Sequence, residues 1–329
     1  MQFDVFGIEN PLIDLLAQVP ETFFEQVGVE KDAMYLVDME RHQTLLKALA
    51  DVAVHPEPGG SCANTLLGIA QLGGKSAFCG KVGADDYGRV YIEKLEAAGV
   101  TSFIQSDGHL TGSTVILIAP DAARTMNTYL GACQELHAED VPLDALSASR
   151  KLYLTGYLWD TPEQQGAAKR ALETAEKAHV PVAMSLSDAF CVNRHKEDFI
   201  NILKKYVIQV FCNQEEAFAI TGAETTHEAM RILQTWCPRV AITLGARGAL
   251  VADENEQIYI DPFPVKAVDS TGAGDAFAAG FLYGVTNGTS LFQSGRLGSL
   301  FAAQVVSKIG PRLEGDVRAI LAPVLDDPR

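Results

Sequence analysis

Apolar residues recur along the chain in two spacings, one typical of strands and the other of amphipathic helices. Continuous apolar runs at residues 3–8, 76–82 and 152–157 predict strands. Residues 40–51 and 62–72 carry apolar side chains three or four positions apart, which predicts helices. Strands that alternate with helices form a mostly parallel sheet with helices on both faces. We therefore expect an α/β fold.

A run of consecutive strands interrupts this alternation. Residues 101–105, 114–119 and 124–130 have extended patterns separated by turn residues, which predicts a patch of antiparallel sheet. Together with the irregular segment before residue 39, this patch is expected to form a small β lid over the carboxyl ends of the main strands. The expected division is a large domain at residues 1–10, 39–102 and 133–329, and a lid at residues 11–38 and 103–132.

Composition narrows the classes of function. The chain has 329 residues, of which 47% are hydrophobic, so a sizeable core can form. The net charge of −16 disfavours nucleic acid and anionic membranes as partners. The six cysteines lack zinc-type spacing and are expected to be reduced. Without a signal-like N-terminus or an apolar run of membrane length, the sequence predicts a cytoplasmic protein.

The stretch at residues 269–275 reads Asp-Ser-Thr-Gly-Ala-Gly-Asp and precedes a predicted helix. Phosphoryl transfer to an alcohol needs donors for developing negative charge and a base for the hydroxyl proton. The backbone amides of Gly272, Ala273 and Gly274 can be the donors. Asp275, in the first helical turn, can accept the proton. For the short Gly-x-Gly-Asp string alone, an ordinary helix start is the better interpretation.

Other phosphate-binding patterns fail. Residues 68–76 have one residue too many for a Walker loop and follow a helix instead of a strand. The glycines at 272 and 274 lack the third glycine of a dinucleotide fingerprint, and no acidic residue ends a strand about 20 residues later. Both a P-loop enzyme and a nicotinamide oxidoreductase are therefore disfavoured.

The longer string over residues 269–281 resembles the signature of the ribokinase-like (PfkB-type) family of sugar and nucleoside kinases. The resemblance implies a ribokinase-like fold with a β lid, ATP as co-substrate and Mg²⁺ as cofactor. It also implies that the Gly-Ala-Gly amides form an anion hole and that Asp275 is the catalytic base. An intact Asp275 argues against a binding protein that has kept the fold and lost catalysis.

Two segments resemble the family's acceptor-binding elements. Gly59 and Gly60, with Asn64 in the following helix, match the glycines and asparagine that contact acceptor hydroxyls in relatives. From the residues alone, this segment is equally a turn with Ser61 as a helix cap. The Asn-Pro-Leu-Ile-Asp run from Asn10 to Asp14 resembles adenosine kinases, in which the aspartate binds both ribose hydroxyls.

Two further segments resemble nucleotide-binding elements. Asn213 and Glu216 match the family's Asn-x-x-Glu element, which implies that Glu216 acts on Mg²⁺ through water. Thr243, Gly245 and Gly248 match its ATP-contacting Thr-x-Gly-x-x-Gly element. Asn213 as a helix cap, with Glu216 in the first turn, is the structural alternative for the first of these elements.

The remaining assignments also come from the resemblance. Arg124 matches the lid arginine that reaches the phosphates on closure, with an exposed strand arginine as the alternative. Asp269 and Thr271 are candidates for a site binding a monovalent cation such as K⁺, although residues 308–312 depart from the family's usual pattern. Tyr157 and Phe190 are candidates for stacking on a purine, or else belong to the core.

The sequence thus predicts transfer of the γ-phosphoryl of ATP to the 5′-hydroxymethyl of a ribonucleoside, with adenosine as the first choice. Phosphorylation of a free sugar such as ribose or fructose is the alternative within the same family. The expected ligands are ATP and a small molecule, and the protein is expected to be a monomer or a homodimer.

Overall fold

The computed structural model describes residues 2–121, 123–308, 310, 313 and 317–325. The predicted large domain runs to residue 329, so its last four residues lie outside this range, as do residues 309, 311 and 312 of the segment that departs from the family pattern. The strands are β1 Val5–Ile8, β2 Ile13–Gln18, β3 Met34–Leu36, β4 Val54–Pro58, β5 Ser76–Gly83, β6 Thr101–Asp107, β7 Ser113–Ile118, β8 Arg124–Tyr129, β9 Leu152–Thr155, β10 Val182–Ser185, β11 Val207–Asn213, β12 Arg239–Thr243, β13 Ala249–Ala252 and β14 Gln257–Ile260. The helices are α1 Thr22–Val27, α2 Met39–Ala48, α3 Ser61–Gln71, α4 Asp86–Ala97, α5 Leu143–Ser147, α6 Pro162–Ala178, α7 Ala189–Lys205, α8 Gln214–Thr221, α9 Thr226–Gln234, α10 Ala273–Thr286, α11 Leu291–Val306 and α12 Val317–Leu325.

The main sheet has nine strands in the order β14-β13-β12-β11-β10-β9-β1-β5-β6. Its strands are parallel from β6 to β12, and the hairpin of β13 and β14 adds two antiparallel strands at one edge. Strand β5 is buried at every position, as expected for a parallel strand covered on both faces. Helices α3, α10 and α11 contribute to the core on one face, and α6 to α9 to the core on the other. The predicted α/β fold class is confirmed.

A second sheet has five strands in the order β3-β8-β7-β2-β4. On one face, alternate residues such as Leu15 and Val115 are buried with Phe24 of α1 and Leu45 of α2. On the other face, Asp14 and Ile116 point into a cavity between the two sheets. Period-two alternation therefore divides this small sheet into a core face and a ligand-facing side.

Two strands belong to sheets other than those the sequence analysis assigned. Strand β4, inside the segment given to the large domain, pairs antiparallel with β2 of the small sheet. Its residues include His55, Glu57 and two prolines, so no apolar alternation reveals it as a strand. Strand β6, predicted to belong to the antiparallel patch, instead pairs parallel with β5. As an edge strand without fully buried residues, β6 lacks the apolar run that marks the other main strands.

Two further features bear on the sequence-based expectations. All six cysteines are buried as free thiols. Within the described part of the chain, no helix combines the length and the apolar character needed to cross a bilayer.

Candidate active site

A cavity of about 450 Å³ lies where the carboxyl ends of the main strands face the small sheet. Loops after β1, β10, β11 and β12 border it, as do the first turns of α3 and α10. Ligands of open α/β sheets bind at this edge. The predicted site residues that line the cavity are Asn10, Asp14, Gly60, Asn64, Asn213, Glu216, Thr243, Gly245, Thr271, Gly272, Ala273, Gly274 and Asp275.

Asp275 lies in the first turn of α10 and is held by two side chains of α3. Ser61 Oγ donates to Asp275 Oδ1 over 2.5 Å, and Asn64 Nδ2 donates to Oδ2 over 3.0 Å. The Thr65 hydroxyl donates to the Asp275 carbonyl oxygen over 3.3 Å. These contacts join α3 to α10, so the glycine-asparagine segment and the Asp275 motif form one site although more than 200 residues separate them.

The electrostatic environment of Asp275 suits proton transfer near neutral pH. Burial raises the pKa of its carboxyl to about 6, although the hydrogen bonds from Ser61 and Asn64 act in the opposite direction. A base with a pKa close to the working pH is mostly ionised there and still binds a proton well. The carboxylate can therefore take a proton from an acceptor hydroxyl.

The turn before α10 depends on its glycines. Gly272 precedes the helix with a φ of 73°, a left-handed conformation that residues with a side chain rarely adopt. A Cβ at Gly274 would meet no atom within 4 Å, which indicates open space beside this backbone. The Ala273 amide donates to the Ser270 carbonyl over 3.2 Å and is thus engaged within the turn. Of the predicted donors, the Gly272 and Gly274 amides remain for an anion.

The glycine pair before α3 makes room for groups of the cavity. A Cβ at Gly59 would lie 2.4 Å from Asp14 Oδ2, although Gly59 itself does not line the cavity. Gly60 has a φ of 95°, and a Cβ there would lie 2.7 Å from the Asn10 carbonyl oxygen. The side chain of Asn10 is buried and its Oδ1 accepts a hydrogen bond from Gln164 Nε2. Asn10 therefore fixes the connection from which Asp14 projects.

The opposite end of the cavity carries the predicted nucleotide-binding residues. Asn213 caps α8 by accepting from the Glu216 amide over 2.9 Å, while Glu216 accepts from the Asn213 amide over 3.0 Å. The pKa of Glu216 is raised to about 7, mainly by burial, with charge repulsion from Asp188 and Asp275 acting in the same direction. The capping alternative is therefore confirmed, and it leaves Glu216 at the cavity wall.

The residues around Glu216 are compatible with Mg²⁺ bound through water. Asp188 Oδ2 is buried without a hydrogen-bond partner among the described residues, and Asp188 interacts electrostatically with Glu216. A divalent cation between such groups would favour their ionised forms. In the described residues, no cluster of three or more His, Cys, Asp or Glu side chains could enclose a metal ion. The donor set thus fits Mg²⁺ that retains most of its water.

The Thr-x-Gly-x-x-Gly element divides between ligand-facing and structural positions. Thr243 ends β12 and lines the cavity with Gly245. Gly248 does not line it and has a φ of 91°, and a Cβ there would lie 2.1 Å from the Ile260 carbonyl oxygen. Gly248 was predicted to contact ATP, but it lies outside this cavity. Its missing side chain instead allows β13 to approach β14.

Arg124 and Asp269, predicted for different roles, form an ion pair beside the cavity and do not line it. The Asp269 carboxylate also accepts from the Thr271 amide over 3.0 Å and from the Gly310 amide over 2.9 Å. Arg124 belongs to β8 of the small sheet, whereas Asp269 precedes the Asp275 turn. The pair therefore links the small sheet to the segment that carries Asp275.

Comparison with known proteins places this site in a family. The model of the pfkB family of carbohydrate kinases matches residues 34–316. The chain belongs to the pfkB family. It is accordingly a phosphotransferase with an alcohol group as acceptor, and kinases of this family use ATP with a divalent metal.

Solved structures and curated relatives in the pfkB family include both nucleoside and sugar kinases. The adenosine kinase from Sinorhizobium meliloti is 36% identical, with a TM-score of 0.91 over 98% of this chain and 99% of that one. A probable sugar kinase from Rhizobium etli is 35% identical, with a TM-score of 0.92 over the same shares of the two chains. The Saccharomyces cerevisiae adenosine kinase is 26% identical over 92% of this chain and 94% of its own.

Sequence reasoning missed two residues of this pfkB site. Ser61 entered the sequence analysis only in the structural alternative, as a helix cap, but Gly60 precedes α3 and the Ser61 hydroxyl contacts Asp275. Glu9 was not singled out, although it is buried at the cavity wall. A carboxylate directly after an apolar strand was the available signal. Of the two stacking candidates, Tyr157 lines the cavity, whereas Phe190 is exposed and packs against Arg194.

Proposed function

We propose that the enzyme transfers the γ-phosphoryl of ATP to the 5′-hydroxymethyl of a ribonucleoside, with adenosine as the preferred acceptor. The main observation is that Asp14 lies beside an apolar wall on the same face of the small sheet. Asp14 pairs in register with Thr114, and two positions along β7, Ile116 pairs with Met126. The apolar side chains of this wall are Met34, Leu36, Ile116, Met126 and Leu130.

A ribonucleoside matches both features. Its vicinal diol can donate to the two oxygens of the Asp14 carboxylate, and its flat base can cover the apolar wall. A free sugar would instead leave hydroxyl groups against apolar side chains, and unpaired buried polar groups are costly. The names of the Sinorhizobium and yeast relatives support adenosine, while that of the Rhizobium relative supports the sugar alternative.

In the proposed reaction, Asp275 accepts the 5′-hydroxyl proton as the oxygen attacks the γ-phosphorus, and the bond from that phosphorus to the bridging oxygen breaks as ADP leaves. Asn64 donates to Asp275 through Nδ2, while its Oδ1 is buried without a partner among the described residues. That oxygen is available to accept from an acceptor hydroxyl. The acceptor is thus oriented by Asp14 at one end and by Asn64 at the other, which lowers the entropy cost of the transfer.

The phosphates of ATP are assigned to the region between Thr243, Gly245 and the first turn of α10. The Gly272 and Gly274 amides, at the positive end of the α10 dipole, stabilise charge on the transferred group. Mg²⁺, held through water by Glu216, would supply charge neutralisation on the phosphates. Movement of the small sheet as a lid, with Arg124 moving from Asp269 to the phosphates, would exclude water.

An acceptor screen tests this proposal. Adenosine, guanosine, inosine, cytidine, ribose and fructose are compared by kcat/KM at saturating Mg²⁺-ATP, with 2′-deoxyadenosine as the probe of the diol contact. We expect adenosine to exceed both free sugars by about 10²-fold or more, the scale on which a site rejects a ligand that leaves its groups unpaired. Preferred turnover of ribose or fructose would overturn the nucleoside assignment and favour the sugar kinase alternative.

A further inference from the structure

A buried carboxyl group at the cavity wall has no part in the mechanism given above. Glu9 follows β1 directly and is 1% exposed. The Cys62 amide donates to Glu9 Oε2 over 2.7 Å, and the Thr155 hydroxyl contacts Oε1. Thr155 is the last residue of β9, and Cys62 lies in the first turn of α3. Glu9 therefore bridges the end of a main strand and the start of α3.

Through its contact with Cys62, Glu9 is connected to the two side chains that hold the proposed base, Asp275. Ser61 and Asn64, which flank Cys62 in the first turn of α3, are the side chains that donate to Asp275. A shift of this turn would move both donors together. A Cβ on Gly60 would lie 3.4 Å from Glu9 Oε2, so the same carboxyl group also packs under the glycine turn.

We propose that Glu9 is a positioning residue that fixes the first turn of α3, and thereby keeps Asp275 oriented toward the acceptor hydroxyl. Glu9 does not touch the reacting atoms and acts through Ser61 and Asn64. The inference rests on the base role of Asp275 in the proposed function, and it does not depend on which acceptor the enzyme uses.

The charge state of Glu9 belongs to this role. The pKa of Glu9 is raised to about 8, mainly by burial, with the negative charge of Asp275 acting in the same direction and the hydrogen bonds from Thr155 and Cys62 acting against it. The other titratable groups that interact with Glu9 are Cys62, Cys133, Tyr153 and Tyr157. Burial raises the pKa of each of these thiols and phenols, so they are neutral at pH 7. At that pH, Asp275 is the one ionised group in this set.

Two consequences follow from a neutral Glu9. A carboxylic acid retains acceptor capacity and gains a donor, so both contacts of Glu9 can persist in the neutral form. Above a pH of about 8, ionisation would place a second negative charge near Asp275. Because Glu9 lines the cavity, that charge would repel the anionic phosphoryl group during transfer, so activity is expected to fall on the alkaline side.

The Glu9→Gln and Glu9→Ala variants distinguish the effect of the hydrogen bonds that Glu9 makes from the effect of its ionisation. Glutamine keeps an acceptor and a donor but cannot ionise, so kcat at pH 7 should stay within about 3-fold of wild type while the alkaline fall moves to higher pH. Alanine removes the bridge and should lower kcat by about 10-fold or more, with the KM for ATP nearly unchanged. Glu93→Gln, at a side chain 63% exposed on α4, is the matched control and should leave kcat and its pH profile unchanged.

Equal losses of kcat in the glutamine and alanine variants, with the alkaline limb unmoved, would overturn the proposal. The assay uses whichever acceptor the wild-type enzyme phosphorylates fastest, so a sugar preference in the acceptor screen leaves this test intact. If the alanine variant does not fold, the pH profile of the glutamine variant still decides.

A second measurement needs no acceptor. The pKa of Glu9 is raised from 4.5 to about 8 in the folded protein, so the stability contributed by its neutral form is complete below 4.5 and declines as the pH rises toward 8. Glu9→Gln removes this decline, so its melting temperature relative to wild type should increase steadily between pH 5 and 8. A difference in melting temperature that is constant with pH would show that Glu9 is not held neutral, which would overturn the inference.

Discussion

The candidate site contains buried carboxyl groups whose surroundings differ. Asp275 receives two side-chain hydrogen bonds, yet burial still raises its pKa to about 6. Glu9 lies nearby with a pKa of about 8, so one carboxyl group is ionised and the other neutral at pH 7. Neighbouring acids with separated pKa values can take different roles in one site.

Removal of the carboxylate at residue 275 tests the base directly. Asp275→Asn should lower kcat by about 10²-fold or more, because proton acceptance is lost while the shape of the site is kept. ATP affinity, measured by calorimetry, should remain close to wild type because the glycine amides are unchanged. Turnover near the wild-type rate would show that another group is the base.

The pH dependence of kcat follows from the same carboxyl group. Below its pKa of about 6, Asp275 is protonated and cannot accept a proton, so kcat should rise as the pH increases through 6 and then level off. The measurement is kcat at saturating ATP and acceptor between pH 5 and 7.5. A flat profile over this range would contradict the assignment of Asp275 as the titrating base.

A methyl group added at residue 59 tests whether the position of the Asp14 carboxylate matters for acceptor binding. Gly59→Ala places a Cβ 2.4 Å from Asp14 Oδ2 and should displace the carboxylate. Misplacement of a positioning group is expected to lower kcat/KM for the acceptor by about 10²-fold, with the KM for ATP little changed. Gly166→Ala in α6 is the matched control, because a Cβ there meets nothing within 4 Å. Equal effects of the two substitutions would contradict the role of Asp14.

At the scale of elements, the site is assembled by two helix starts and a strand of the small sheet. Helix α3 supplies Ser61 and Asn64, and α10 supplies Asp275. Strand β8 supplies Arg124, which pairs with Asp269 just before the turn that leads into α10. The pair thus couples the position of the small sheet to the motif proposed to perform the transfer.

Loss of the Arg124 side chain should release this coupling. Arg124→Ala leaves Asp269, whose side chain is 5% exposed, without its cation and is expected to destabilise the fold by about 3 kcal/mol in urea unfolding. Amide exchange in β8 should also accelerate, because the small sheet loses a link to the main domain. Arg89→Ala removes two exposed ion pairs and should leave stability almost unchanged. Matching values for the two variants would contradict the link.

Local signals in the sequence explain which elements were predictable. Strands such as β5 have both faces buried and form apolar runs, so the main sheet could be predicted from the pattern alone. Strand β4 carries His55 and Glu57 on an edge and gives no such signal. Strand β6 begins at the predicted residue and ends two residues later than predicted, yet it was assigned to the wrong sheet, since pairing partners are set by tertiary packing.

The candidate site shows the same limit. Motifs identified Asp275 and Asn64 separately, but only the fold shows the hydrogen bond between them. Glu9 lacks a motif because its importance comes from burial beside Cys62 and Thr155. Gly248 carries the motif spacing, yet its left-handed conformation and its closeness to Ile260 give it a structural role.

At the scale of the whole molecule, the residues proposed to bind the two substrates lie at one edge of a parallel sheet. Those proposed for the nucleotide follow β11 and β12, and those proposed for the acceptor follow β1 or lie on the small sheet. With a net charge of −16 on the protein, the proposed binding of anionic phosphates relies on backbone amides, a metal ion and Arg124. We propose that the main sheet carries the residues of phosphoryl transfer and that the small sheet determines the acceptor.

The most direct test of this account is the product formed from adenosine and Mg²⁺-ATP, followed by phosphorus NMR. We predict 5′-AMP and ADP in equal amounts, and almost no 5′-AMP with the Asp275→Asn variant. A wild-type enzyme that leaves adenosine unmodified while it phosphorylates ribose or fructose would contradict the central claim.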